Sequence, residues 1–200
     1  MVSGIILAAG SSQRMGTPKA FLKIGEQTFL QHIVEQLHLA RIVDLVLVLG
    51  AHAEEIQPTL SWFNGKVVIN EQWQEGQLTS IITGLDALNL VNAEPEEIHG
   101  AMICPVDHPL LSQAILVDLL QGFWRSQKRI ILPTYKGKRG HPVIFHRDYF
   151  GEFRNAPPEL GARAVVRNHP DDVFEVVAQE SGIVTNIDTP EDYEKYILKL

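Results

Sequence analysis

Leu7 to Lys19 reads LAAGSSQRMGTPK and follows directly on MVSGII, an apolar run short enough and branched enough to be a buried strand. The pairing is a strand that empties into a loop rich in glycine and serine and carrying two cations. A loop leaving the end of a buried strand is a common seat for a ligand.

Branched apolar runs recur along the chain as SGIILA, DLVLVLG, KVVIN, GAMICPV, RIILPTY, PVIFH and VFEVV. Segments with helical spacing separate most of them: TFLQHIVEQLHLA, LTSIITGLDALNLV and SQAILVDLLQGFWRSQ. In the last, Ser112 is placed to cap the start, and Leu116, Leu119, Leu120 and Phe123 fall on one face. That alternation predicts an α/β protein whose strands are mostly parallel and buried. Ligands of such sheets collect outside the carboxyl ends of the strands, where strand order switches, so the loops after each apolar run matter most. No composition break, repeat or low-complexity tract divides the chain, and a single domain over residues 1–200 is expected. NAEPEEIHG at 92–100 and RNAPPELGARA at 154–164 read as surface connections, with EPEE a solvated loop.

With 200 residues, 45% hydrophobic and 20% charged, the composition is that of an ordinary soluble globular chain. A net charge of −7 argues against nucleic acid or an anionic membrane as the main partner, so an anionic ligand needs a local cationic site. Cys104 is the only cysteine, which rules out an intrachain disulfide and reads as a buried thiol in a reducing compartment. The N-terminus has no basic segment before its apolar run, and no run of about 18 apolar residues occurs. A cytoplasmic location is expected.

The opening loop fits neither of the two familiar phosphate loops. Gly10 and Gly16 are too widely spaced for a Walker A motif, and G-x-G-x-x-G is absent. Its chemistry still suits phosphate: Gly10 and Gly16 permit close approach and positive φ, Ser11 and Ser12 add hydroxyls, and Arg14 and Lys19 supply charge-assisted bonds, with Pro18 stiffening the approach. A plain strand-to-helix turn with two solvated cations is the competing reading. Asp107, after GAMICPV, and Asp188, after GIVTNI, each read as either a helix cap or a metal ligand. Thr189 and Pro190 suit an N-cap and a first-turn proline. Histidines at zinc-site spacing and Cys/His clusters are missing. Trp62, Trp73 and Trp124 read as core or rim aromatics.

Four stretches, LAAGSSQRMGTPK (7–19), EGQLTSIITGL (75–85), PVDHPLL (105–111) and GHPVIF (140–145), occur in the order found in the MobA-like nucleotidyltransferases of molybdenum cofactor biosynthesis, which the chain resembles. GARAVV (161–166) and NIDTPEDY (186–193) agree, so the likeness covers almost the whole chain. It implies a doubly wound, Rossmann-like sheet with helices on both faces. The implied reaction moves a nucleoside monophosphate from a triphosphate to a phosphorylated small-molecule acceptor, releasing pyrophosphate with Mg2+. The resemblance places the triphosphate on Ala9 to Gly16 with Arg14 and Lys19 on its phosphates, and the base near Leu7, Ala8 and Ala9, closed by Gly76, Thr79 and Ser80. It gives the metal to Asp107 and Asp188, and the acceptor side to His141. Ala9, where the guanylyl branch tends to have a second glycine, is similar to the cytidylyl, MocA-like branch and implies CTP. His108 departs from the pattern; it either donates to a substrate phosphate or points to solvent. The acceptor implied is molybdopterin or the molybdenum cofactor, with a molybdoenzyme as possible client. A sugar or polyol phosphate acceptor, and a non-enzymatic nucleotide- or cofactor-binding module, are the alternatives.

Overall fold

The computed structural model describes residues 1–91 and 98–199; the EPEE stretch and most of the 92–100 connection lie outside the described residues. Strand β1 (Val2–Ala8) is followed by the short hairpin β2 (Lys23–Ile24) and β3 (Gln27–Thr28), helix α1 (Phe29–Leu39), β4 (Leu45–Leu49), the single turn α2 (Ala53–Ile56) and β5 (Lys66–Ile69). Then come α3 (Gln77–Val91), β6 (Gly100–Pro105), α4 (Gln113–Arg125), β7 (Ile130–Tyr135), β8 (Lys138–Arg139), β9 (Val143–His146), α5 (Ala162–Asn168), β10 (Val173–Val177) and α6 (Pro190–Tyr196).

β1 is buried along its whole length because parallel strands flank it on both sides, β4 and β6. Its side chains alternate between two apolar layers, as the pleat requires. Ile6 and Ala8 join Ile33 and Leu37 of α1 and Leu116 and Leu119 of α4. Ile5 and Leu7 join Leu78, Ile81 and Leu85 of α3. Leu47 and Val48 of β4 divide the same way, so helices cover both faces of one sheet.

The sheet order is β10-β7-β9-β6-β1-β4-β5, with β8 beside β7. PVIFH becomes β9, which runs antiparallel between β6 and β7, so the sheet is mixed although mostly parallel. VFEVV is an edge strand rather than a buried one: β10 pairs only with β7, and Val177 is 71% exposed. The 154–164 connection is exposed or half-buried until Ala164, and it is the segment leading into it that is anchored. A 3-10 segment, Arg147–Asn155, buries Tyr149 and Phe153, and the Phe153 ring meets Phe145 edge-on at 5.0 Å.

Local chemistry sets the helix starts. Thr28 and Gln31 form a reciprocal capping box on α1, and Thr189 and Asp192 form one on α6 behind Pro190. Ser112 holds the N-cap position of α4 but its hydroxyl makes no cap bond. On α4, Leu120 is only half-buried, and Ile115 and Gly122 complete the buried face. Cys104 is fully buried, and burial pushes its thiol well up. Among the described residues no helix is long and apolar enough to cross a membrane.

Strand order reverses at β1. The chain leaves β1 for β4 and β5 on one side and returns through α3 to β6 on the other. The carboxyl ends of β1 and β6 therefore part at a crevice, the general ligand position of an open α/β sheet.

Candidate functional site

The loop after β1 is held from below and behind. Ala9 carbonyl accepts from the Ala51 amide at 3.0 Å, and the Ser11 carbonyl accepts from His52 Nε2 at 2.9 Å. Ser12 carries φ +50°, its carbonyl takes the amides of Met15 and Gly16, and its hydroxyl takes the Lys19 amide at 3.2 Å. The left-handed residues are thus Ser12 and Gly16 (φ +73°), not Gly10, whose missing side chain instead leaves open space at the crevice. No acceptor among the described residues meets the backbone N–H groups of Ser11, Ser12, Gln13 or Arg14. Successive unengaged amides around a left-handed residue form an anion-binding concavity.

Lys19 closes the loop. Its side chain is only 12% exposed, and its ammonium sits 2.5 Å from Asp188 Oδ1 and 3.6 Å from Asp107 Oδ2. Arg14, largely exposed, reaches Asp188 Oδ2 at 3.0 Å, where Asn186 also donates. The two aspartates, remote in sequence, meet because the Ile187 amide donates to the Asp107 carbonyl at 2.8 Å. Neither is a helix cap: Thr189 caps α6, Ser112 stands at the start of α4, and both carboxylates turn to Lys19. Burial pushes the Asp188 carboxyl up, but the Lys19 hydrogen bond and charge, with Arg14, outweigh it and leave it below the usual range.

Two clefts flank Gly10, Ser11 and Gln13. One, of about 350 Å³, has Ala8, Ser12, Arg14, Lys19, His52 and Asp188 in its wall. The other, of about 600 Å³, has Leu7, Ala9, Trp73, Gly76, Gln77, Ser80 and Asp107. Gly16 lines neither. Gly76 ends the 3-10 turn Trp73–Glu75 with φ +110°, which only glycine adopts without strain. Thr79 is placed differently from expectation. Its hydroxyl lies within bonding distance of the Gln72 and Gly76 carbonyls and accepts from Asn70, and it is absent from both cleft walls. Asn70, nearly fully buried, also donates to Ser80 Oγ, so Thr79 and Asn70 brace the turn that carries Trp73.

His108 and His141 come together beside Asp107, with ring centroids 4.8 Å apart. Their Nδ1 atoms are buried without a hydrogen-bond partner among the described residues, so His108 does not simply point to solvent. Burial lowers the His141 pKa to about 3, with the charges of His108 and Arg163 adding to it, and burial likewise lowers that of His108. Close backbone approach sets this pair. A Cβ on Gly140 would lie 2.1 Å from the Ile183 carbonyl, and one on Gly182 would lie 2.1 Å from the Leu110 carbonyl. These contacts knit the GHP, DHPLL and SGIV stretches into one wall.

His52 and Trp73 were not singled out as site residues by sequence. His52 follows DLVLVLG, so the rule of inspecting every loop after an apolar run reaches it; Trp73 carries no comparable signal, since a lone tryptophan in an acidic chain reads as packing.

The two carboxylates suit a hard divalent cation. Both reach one ammonium, so both can face a single cation, and Mg2+ is a cation that takes only one or two carboxylates. Among the described residues no group of three or more His, Cys, Asp or Glu gathers as a metal cage.

Comparison with known proteins bears on this arrangement. The MobA-like NTP transferase domain model matches residues 4–173. The "Nicotine blue oxidoreductase" of Paenarthrobacter nicotinovorans is 26% identical, covering 95% of this chain and 93% of that protein. The "Probable molybdenum cofactor guanylyltransferase" of Mycobacterium avium is 28% identical, with 96% and 92% covered. Among solved structures, Rv0371c of Mycobacterium tuberculosis superimposes with a TM-score of 0.83 at 25% identity, covering 98% of this chain and 97% of that one. Its manganese complex aligns at 0.80 and 23% identity over 100% and 99% of the two chains.

Proposed function

The chain belongs to the MobA-like NTP transferase family and is a nucleotidyltransferase; from that premise we propose that it transfers a nucleoside monophosphate to a phosphorylated acceptor of the molybdopterin type. The observation that carries the reading is the meeting of Lys19, Asp107 and Asp188 beneath the loop at the β1/β6 switch. In this reading the unengaged amides of Ser11 to Arg14 and the Arg14 guanidinium receive the triphosphate, and Lys19 turns from the carboxylates to the phosphates as these bind.

The acceptor's phosphate oxygen is already ionised near neutrality, so no protein base is required. That oxygen forms a bond to the α-phosphorus while the bond to the bridging oxygen breaks, and pyrophosphate departs with the electron pair. What the chain supplies is in-line positioning and positive charge against the repulsion of two polyanions. Asp107 and Asp188 would hold a divalent cation, whose contribution is to neutralise phosphate charge. The manganese complex of Rv0371c supports a divalent ion of this kind, with Mg2+ the ion proposed here.

The base lies in the larger cleft against Leu7, Ala9, Trp73 and Gly76. The name of the Mycobacterium avium relative, a probable guanylyltransferase, supports GTP as the donor. A second reading, CTP, rests on Ala9. The acceptor lies on the side of His108 and His141, two paired, buried rings that burial keeps neutral, of which His108 feels the charge of both carboxylates. The whole chain acts as one domain, in the cytoplasm, on small molecules, with a molybdoenzyme receiving the product.

Asp107→Asn and Asp188→Asn test the reading. As ligands of a hard cation, both lose turnover, measured as pyrophosphate release, by at least about a hundredfold, with part regained in excess Mn2+. Turnover equal to wild type in both variants would end the metal assignment; loss in Asp107→Asn alone would make Asp188 an orienting group for Lys19.

A further inference from the structure

His52 lies on the first cleft without a role in the reading above. It stands just before α2, with its side chain 24% exposed. Nε2 faces the Ser11 carbonyl at 2.9 Å, and Nδ1 faces Glu55 Oε1 at 2.8 Å. Both partners are acceptors only, so both contacts are hydrogen bonds together only when each ring nitrogen carries a proton. The geometry selects the imidazolium, which places a third cation in a wall that already holds Arg14 and Lys19.

The bond to Ser11 has a directional consequence. The Ser11–Ser12 peptide is trans, since among the described residues the cis bond is His141–Pro142, and in a trans peptide the carbonyl and the next amide point opposite ways. Tying the Ser11 carbonyl to His52 therefore turns the Ser12 N–H away from α2. It also steadies Ser12 at φ +50°, a conformation that costs a non-glycine residue free energy.

We propose that His52 is a positioning residue of the phosphate loop: an imidazolium strut between Glu55 and the Ser11 carbonyl that aims the Ser12 amide at bound polyphosphate and adds charge to its site. The inference rests on the triphosphate reading and names a residue that reading leaves out. It makes phosphate affinity pH-dependent through a group whose hydrogen-bond partners are Ser11 and Glu55 and neither metal carboxylate. The charged groups sharing its surroundings are Glu55 on α2, Arg14 in the loop, Lys19 behind it and Asp188 across the cleft. The hydrogen bond to Ser11, and then Glu55, raise the His52 pKa above 6.5. The strut is complete below that raised value and is lost as pH rises through it.

The test measures binding of inorganic tripolyphosphate with Mg2+, by calorimetry from pH 6 to 9, to wild type, His52→Gln and Glu55→Gln. Glutamine can donate to Ser11 but carries no charge. The expected ratio of wild-type to His52→Gln affinity is about tenfold at pH 6, the margin of a charge-assisted over a neutral hydrogen bond, and falls towards one by pH 9. Glu55→Gln moves that fall to lower pH while leaving the thermal midpoint near that of wild type. A ratio that does not change with pH, or variants that bind as wild type does, would overturn the strut while leaving the triphosphate reading intact. Wild-type protein that binds no tripolyphosphate at any pH would overturn both.

Discussion

Lys19 is a nearly buried ammonium whose neutralisation depends on two carboxylates from distant parts of the chain. His141 poses the opposite problem, a buried base with no partner for Nδ1 among the described residues, which stays neutral because burial penalises its charge. Its pKa is about 3 against an ordinary 6.5, so between those values the unfolded chain binds a proton that the native state refuses. Stability is then complete above about pH 6.5 and declines as pH falls towards 3. We expect His141→Asn to flatten that decline, read as the urea midpoint from pH 7 to 4. An unchanged slope in the variant would assign acid sensitivity to other groups, among them His108 and His32, which burial also lowers.

At the scale of elements, the site is carried by contacts in which backbone meets backbone, while one aromatic anchor holds the 3-10 segment Arg147–Asn155 to the sheet. Phe153 is fully buried at the end of a 3-10 segment and packs on Phe145 of β9, beneath the polar connection that leads to α5. Phe153→Ala is expected to cost about 3–5 kcal/mol in equilibrium unfolding, as for other large-to-small changes in a packed core. A cost under about 1 kcal/mol would mean that the segment is not docked as described. The same element shows what the sequence conceals. β1, β4 and β6 are legible because fully buried parallel strands are near-continuous apolar runs, and α1 and α4 are legible from their apolar stripes. Arg147–Asn155 has neither period, and its two buried aromatics stand among charges. The direction of β9 is likewise silent in PVIFH, because composition tells a strand from a helix but not parallel from antiparallel. In the site, the opening loop announces itself by its glycines, serines and cations. The pairing of His108 with His141 and the support that His52 gives Ser11 depend on contacts between loops, which no local pattern records.

At the scale of the molecule, a chain of net charge −7 gathers Arg14, Lys19 and His52 at one crevice, where the sheet reverses its strand order between β1 and β6. In the proposed reading, this local positive charge against an acidic background is what receives the polyanion. The architecture is that of the MobA-like NTP transferase family, yet one of the relatives bears the name of an oxidoreductase, so the chemistry must be read from bond changes at phosphorus. The most direct measurement supplies the wild-type chain with Mg2+, a molybdopterin acceptor and either GTP or CTP labelled at the α-phosphorus, and follows the label together with pyrophosphate. The account predicts label on the acceptor and one pyrophosphate released per label transferred, with GTP the faster donor. Label that never leaves the triphosphate with any acceptor-loaded mixture, while the folded chain turns over a redox dye, would contradict it.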